Sequence, residues 1–162
     1  MKTYKAILPL VFVITGCTQT GTVKLTGDST RQEEGAAMSA ITETLCFERY
    51  SGNSNQDTAS IRMVLQDNIV TGRYANIPYQ KDARIGTISG TRSGNVIRGT
   101  WRFQQEGITD SMSFEFKIEG DKLLQKQTRI DRSSGRELVS DTADFSLVYL
   151  RSDCEAINSR IR

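Results

Sequence analysis

The chain has 162 residues, a quarter of them charged, and this length suits a single domain. The 21 Lys and Arg residues nearly balance the 19 Asp and Glu residues, so the composition gives no reason to expect nucleic acid or an anionic membrane surface as a partner. No histidine occurs, which excludes Ser-His-Asp and Cys-His catalysis and leaves the cysteines a poor metal-ligand set. We therefore expect no metal, no cofactor and no enzymatic activity.

The first segment, residues 1–16, has the pattern of a secretory signal. Lys2 and Lys5 precede an almost uninterrupted apolar run over residues 6–16, which is too short to span a bilayer. Because this segment contains two lysines and no acidic residue, its removal leaves a mature chain that is formally neutral.

The apolar run ends in Ile14-Thr15-Gly16-Cys17, which resembles the lipobox of bacterial lipoproteins. The resemblance implies that the signal is cut before Cys17 and that Cys17 carries lipid. Thr18, in place of Asp, then implies an outer-membrane protein that faces the periplasm or the cell surface. The alternative is an ordinary secretory signal with a coincidental cysteine.

The next segment, residues 17–42, is predicted to combine the lipidated cysteine with a flexible tether. Residues 18–40 are rich in Thr, Gly and other small polar residues and show no sustained hydrophobic periodicity.

From residue 43 onward, the apolar residues recur with a period of two. Met112, Phe114, Phe116 and Ile118, for example, share one face of a predicted strand. The alternating runs and the turn residues between them predict strands over 43–51, 57–66, 69–79, 84–92, 95–105, 109–119, 121–130 and 141–150. We expect an all-β domain over 43–154: an antiparallel up-and-down meander of about eight strands that forms a small closed or nearly closed lipocalin-like barrel. Residues 155–162 are predicted to be a frayed tail.

With Cys17 assigned to lipid, Cys46 and Cys154 remain, and in an oxidising envelope compartment we expect a disulfide between them. In a meander of eight strands, the first strand begins and the last strand ends at the same end of the sheet. Closure of the barrel then brings the two strands together, so the strand count and the disulfide support each other. This places both cysteines, with the tether, at what we call the base.

The segment 77–107 carries a more distinctive pattern. It contains Tyr79-Gln80-Lys81-Asp82, Gly86-Thr87-Ile88-Ser89-Gly90, Gly99-Thr100-Trp101 and Glu106-Gly107, and resembles a group of small bacterial envelope lipoproteins. That resemblance implies a compact β-fold on a lipid anchor and no activity. On physical grounds, the glycines are expected to relieve crowding between tightly coiled strands. Trp101 is expected to lie in the core, the alternative being a stacking surface in a cavity.

Strand order also predicts a polar rim at the end of the barrel opposite the base. One loop there carries four of its residues and a second loop carries two, and together they are Tyr79, Lys81, Asp82, Arg84, Glu106 and Asp110. One interpretation is a rim that binds a ligand or a protein. The other is a pair of solvated hairpins with a weak Lys-Asp pair. A glycosidase-like carboxylate pair formed by Glu106 and Asp110 is a further alternative.

Two functions follow from these patterns. The first is a non-enzymatic, membrane-anchored lipoprotein, monomeric, that contacts an envelope protein or maintains the envelope. The second is a lipocalin-like carrier of a small apolar or amphipathic ligand. Bulky inward side chains favour the first, since they would fill a barrel of this size: Met63, Leu65, Trp101, Phe103, Phe114, Phe116, Leu147 and Tyr149.

Overall fold

The structure is a computed structural model that describes residues 41–161. The predicted signal over 1–16, Cys17 and the tether as far as residue 40 lie outside the described residues. Strand β1 begins at Thr42, so the barrel starts one residue earlier than predicted.

Within residues 41–161, ten strands and one short helix follow in chain order. They are β1 (Thr42–Ser51), β2 (Asp57–Gln66), β3 (Ile69–Ile77), β4 (Arg84–Ser93), β5 (Val96–Gln105), β6 (Ile108–Glu119), β7 (Lys122–Lys126), β8 (Thr128–Ile130), β9 (Glu137–Val139), β10 (Phe145–Arg151) and α1 (Cys154–Asn158). Eight of the strands form a closed antiparallel barrel in the order β1-β10-β7-β6-β5-β4-β3-β2, which confirms the predicted all-β fold. No helix within residues 41–161 is long and apolar enough to cross a membrane.

Inward and outward side chains alternate along each strand, and the large inward side chains fill the inside of the barrel. The rings of Phe114 and Phe116 stack with their centroids 4.5 Å apart, and Trp101 stacks on Tyr74 at 4.1 Å. Trp101 is only 3% exposed, so it belongs to the core as predicted. The other predicted inward residues are buried too, apart from Leu147, which is partly buried against the same cluster. The interior is therefore packed with protein side chains.

The segment after β10 is ordered against the outside of the barrel, so the prediction of a frayed tail is wrong for residues 155–161. Asp153 caps α1 by accepting a hydrogen bond from the backbone N–H of Glu155. Ile157 and Ile161 lie one helical turn apart, and both are buried beside Ala75 on the outer face of the barrel. Burial of these two isoleucines holds the tail in place. The spacing of Ile157 and Ile161 is a helical signal that the prediction of a frayed tail leaves out.

The predicted disulfide joins Cys46 to Cys154, with their Cα atoms 5.2 Å apart. Its position differs from the prediction, because Cys46 is the fifth residue of the ten in β1 and pairs with Arg62 in the middle of β2. Its side chain faces outward and packs with the tail. The bond therefore lies at mid-height on the outer wall rather than at the base.

The region between β7 and β10 also departs from the prediction. The predicted strand 121–130 is two strands, and the predicted strand 141–150 begins at Phe145 as β10. Strands β8 and β9 pair with each other in a separate two-stranded sheet, here called the mouth hairpin (residues 128–139). The count of eight barrel strands is unchanged because the hairpin is inserted between two of them.

Candidate functional site

Several connections meet at one end of the barrel, which we call the mouth. In this up-and-down barrel, the β3–β4 connection (78–83), the β5–β6 turn and the chain between β7 and β10 all lie at the same end. The predicted rim residues are therefore at one end, opposite the start of β1.

The β5–β6 turn is set by two residues with positive φ, Glu106 at 51° and Gly107 at 78°. Two such residues in succession form the tight turn that matches the twist of an antiparallel hairpin. The turn directs Ile108 and Asp110 of β6 to the mouth, where Ile108 pairs with Gln105 and Asp110 pairs with Phe103.

The mouth hairpin folds around Asp131. Its carboxylate accepts hydrogen bonds from the hydroxyl groups of Ser133 and Ser134, at 2.6 and 2.7 Å, and these bonds lower the pKa of Asp131 to about 2. Gly135 follows with a φ of 68° and donates its N–H to the carbonyl of Asp131. The sequence D-R-S-S-G therefore encodes the reversal between β8 and β9.

Ion pairs connect the mouth hairpin to the barrel wall. Arg84 of β4 contacts Glu137 of β9 at 2.6 Å, and Arg136 contacts Asp110 of β6 at 3.3 Å. Arg136 also donates to the backbone carbonyl of Ser111 at 2.9 Å. Since these groups remain partly or largely exposed, each pair alone contributes little to stability, but together they fix where the hairpin sits.

Between the hairpin and the barrel wall lies a cleft of about 520 Å³, here called the mouth cleft. Its apolar side chains are Phe103, Ile108, Met112 and Ile130, and its charged ones are Arg84, Glu106, Asp110, Arg136 and Glu137. Ile108 and Ile130, which line the cleft from the barrel wall and from the hairpin, are each 69% exposed. An exposed apolar surface ringed by charges is typical of a binding site.

The predicted rim residues divide into two groups. Arg84, Glu106 and Asp110 line the mouth cleft, whereas Tyr79, Lys81 and Asp82 lie in the neighbouring 78–83 connection and do not. The backbone N–H of Tyr79 donates to the carboxylate of Asp57 at 2.8 Å, which ties that connection to the start of β2.

Sequence reasoning missed the hairpin side of the cleft, namely Ile130, Arg136 and Glu137. The turn signal around Asp131 and Gly135 was present, but three-residue strands carry too little alternation to be recognised. Within residues 41–161, no three His, Cys, Asp or Glu side chains come close enough together to hold a metal ion.

Below the cleft, the interior holds a buried polar cluster. The hydroxyl of Tyr149 donates to the side-chain carbonyl of Gln125 at 2.5 Å and lies 2.9 Å from the hydroxyl of Tyr74. Burial raises the pKa of both tyrosines, because the charged phenolate is poorly solvated there. The guanidinium of Arg49 lies 5.6 Å from the centre of the Tyr149 ring. This cluster occupies the space that a deep ligand would need.

Comparison of the chain with protein-family models, with curated proteins and with solved structures finds no match.

Proposed function

We propose that the protein is a lipid-anchored bacterial envelope protein whose barrel is a non-enzymatic binding domain. The mouth cleft carries this proposal, since it combines exposed isoleucines with charged side chains already held in place by ion pairs. Such an arrangement offers an apolar centre and a polar margin, which is the anatomy of a protein-binding surface.

The packed interior supports binding at the mouth rather than deep inside the barrel. Trp101, Phe116 and Tyr149 fill the interior below the cleft. A partner would therefore contact the side chains of the cleft and its margin. An envelope protein could do this by inserting one or two of its own apolar residues into the cleft.

The volume of the cleft favours a second candidate function, that of a carrier. A volume of about 520 Å³ lies within the range of small-molecule sites. An amphipathic ligand could place its apolar part against Ile108 and Ile130 and its polar part among the charges. In this alternative, the mouth hairpin retains the ligand at the surface of the barrel.

The anchor belongs to the same proposal. It is supported by the short apolar run and the Ile14-Thr15-Gly16-Cys17 ending, with Thr18 favouring the outer membrane. A single acyl chain gives only marginal membrane binding, so stable anchoring needs the two or more chains that a lipoprotein cysteine carries. The domain would act as a monomer on its tether.

Site-specific photocrosslinking in cells tests this function. A crosslinking amino acid replaces Ile108 in the cleft, and in a matched control it replaces Leu150, which is 59% exposed on the outer wall. We expect a discrete protein adduct at position 108 that the added substitution Ile130→Asp abolishes, and no such adduct at position 150.

The same protein variants distinguish a protein-binding domain from a small-molecule carrier. A carrier would give no protein adduct at position 108 but a bound small molecule in the native mass spectrum, lost in Ile130→Asp. Absence of both signals, or equal adducts at positions 108 and 150, would show that the cleft is not a binding site.

A further inference from the structure

A row of arginines and hydroxyl residues crosses the outer face of the barrel. Consecutive register pairs place Arg62 beside Arg73, Arg73 beside Thr87, Thr87 beside Arg102 and Arg102 beside Ser111. We call these five residues, on strands β2 to β6, the arginine row. Each member of the row adjoins a residue of the core cluster along its strand, so the row itself faces outward; these neighbours are Met63, Tyr74, Ile88, Trp101 and the partly buried Met112.

Within residues 41–161, none of the three arginines of the row forms an ion pair. Arg62 and Arg73 stand directly opposite each other, an arrangement that costs stability because like charges repel. Two carboxylates of the outer face are paired with other cations: Glu48 with Arg160, and Glu115 with Arg98 and with a lysine of β7.

The hydrogen-bonding capacity of the row is only partly used. The Nε atom of Arg62 is buried and has no hydrogen-bond partner among the described residues. Arg73 donates its Nε to the carbonyl of Ile161, which fixes the direction of its side chain. A guanidinium presents paired donors that match the oxygens of a phosphate, so this face has both the charge and the donors for one.

The adjacent row adds hydroxyl groups and no bulky side chain. Thr71, Ser89, Thr100 and Ser113 are successive register neighbours across β3 to β6, and all four are exposed. Neither row contains an aromatic residue that could stack on a nucleobase or anchor a protein interface. Charge and polarity together favour a surface of phosphate headgroups.

We propose that this face of the barrel binds the phosphate groups of an anionic lipid surface. Thr87 lies between Arg73 and Arg102 in the register, and the backbones of these two exposed arginines are two strand spacings or roughly 10 Å apart, so both belong to one patch of the outer face. The formal neutrality of the mature chain conceals this local excess of positive charge. The proposal does not depend on the mouth cleft, and it would orient the barrel with its side wall against the membrane.

Vesicle flotation tests the proposal with the full chain carrying Cys17→Ser, so that no anchor lipid is attached. The probes are vesicles of phosphatidylcholine alone and of phosphatidylcholine mixed with phosphatidylglycerol. Because the first 40 residues are the same in every variant, their contribution cancels when the test variant is compared with the control variant on the same vesicles. We expect preferential binding to the phosphatidylglycerol vesicles that weakens as salt is added.

The test variant is Arg73→Gln with Arg102→Gln, and the matched control is Arg129→Gln with Arg132→Gln, two exposed arginines of the mouth hairpin. Each arginine near an anionic surface contributes about five-fold in affinity, so we expect a loss of about 25-fold in the test variant. The control should lose less than about five-fold. If the double variant fails to fold, Arg102→Gln alone is used, since Arg102 is exposed, and its expected loss is about five-fold.

Equal binding to both vesicle types, or equal losses in the test and control variants, would overturn the proposal. Displacement from the vesicles by inorganic phosphate at the same phosphorus concentration would also overturn it, since the site would then bind free phosphate. Tighter binding to a single-stranded oligonucleotide than to the vesicles would likewise exclude a lipid surface as the partner.

Discussion

Glycines on the inner face determine how tightly the middle strands of the barrel can coil. Gly72, Gly86, Gly90 and Gly99 all lie at inward positions of β3, β4 and β5. A Cβ atom added to Gly86 would collide with the carbonyl oxygen of Arg102, and at Gly99 it would collide with that of Ser89. The expected role of these glycines in relieving crowding therefore has a direct geometric cause.

Gly86→Ala should lower the free energy of unfolding by about 1–3 kcal/mol or more, because a new Cβ atom forces the backbones of β4 and β5 apart. Thr87→Ala is the matched control, since Thr87 is the next residue and points outward. Urea unfolding followed by circular dichroism measures both variants. A Gly86→Ala protein as stable as Thr87→Ala would show that the strands separate freely at this point.

Tyr149 is the central member of the buried polar cluster, since its hydroxyl contacts both Gln125 and Tyr74. Tyr149→Phe leaves the carbonyl of Gln125 without its closest donor, so we expect a loss of about 1–3 kcal/mol in the free energy of unfolding. Tyr79→Phe, on a side chain that is 57% exposed, should change it little. Equal stabilities of the two variants would contradict a structural role for the cluster.

The same tyrosines make stability depend on alkaline pH. Burial raises the pKa of Tyr74 and Tyr149 in the folded protein, so above pH about 10 the unfolded chain releases these protons first. The free energy of unfolding should therefore be independent of these groups below pH about 9 and fall as the pH rises above about 10. Urea unfolding between pH 8 and 11 measures this, and a double Tyr74→Phe, Tyr149→Phe variant should show a shallower fall.

At the level of strands, the weakest join in the barrel is between β1 and β10. Only two register pairs connect them, Phe47 with Arg151 and Glu48 with Leu150, whereas β1 and β2 pair along their whole length. Glu48 strengthens this seam from outside, because Ser152 donates to its carboxylate at 3.0 Å and Arg160 forms an ion pair with it. The Cys46–Cys154 bond crosses the same seam.

Replacing both Cys46 and Cys154 with serine should lower the free energy of unfolding by up to about 4.7 kcal/mol, since the bond closes a loop of more than a hundred residues. The β-rich circular dichroism spectrum should persist, because the other seven strand pairings do not involve the bond. Amide hydrogen exchange should increase most in β10 and α1. Wild-type protein under a reducing agent is the control and should approach the variant. A loss no greater than that of a single surface substitution would contradict the role of the bond.

Long, regular elements could be predicted from the sequence, and short ones that depend on tertiary contacts could not. The alternation in β6, with Phe114 and Phe116 on one face, specified both a strand and its buried side. The two isoleucines of the tail carry no such signal, because the surface that buries them is formed by other strands. For the same reason, only part of the candidate site could be predicted from the sequence. Arg84 and Asp110 could be placed at the mouth, but their ion-pair partners on the mouth hairpin could not.

For the molecule as a whole, we predict that Cys17 carries lipid and begins the mature chain. The basis is the sequence ending Ile14-Thr15-Gly16-Cys17, which lies outside the described residues. Mass spectrometry of membrane-extracted protein should show an N-terminal acylated cysteine, and Cys17→Ala should release the barrel from the membrane fraction or leave the signal uncut. An unmodified Cys17 in a chain cut elsewhere would contradict lipidation.

The seam between β1 and β10 also sets the order in which the chain can fold. Strands β2 to β7 each pair with the strand just before them, so these hairpins can form while the rest of the chain is still arriving. Closure must wait for β10, and the thiol of Cys46 must wait for that of Cys154, 108 residues later. If the chain is exported from its N-terminus, as the proposed function requires, Cys46 lacks this partner until Cys154 has crossed the membrane. Under that proposal, formation of this one bond marks both the passage of Cys154 across the membrane and the closure of the barrel.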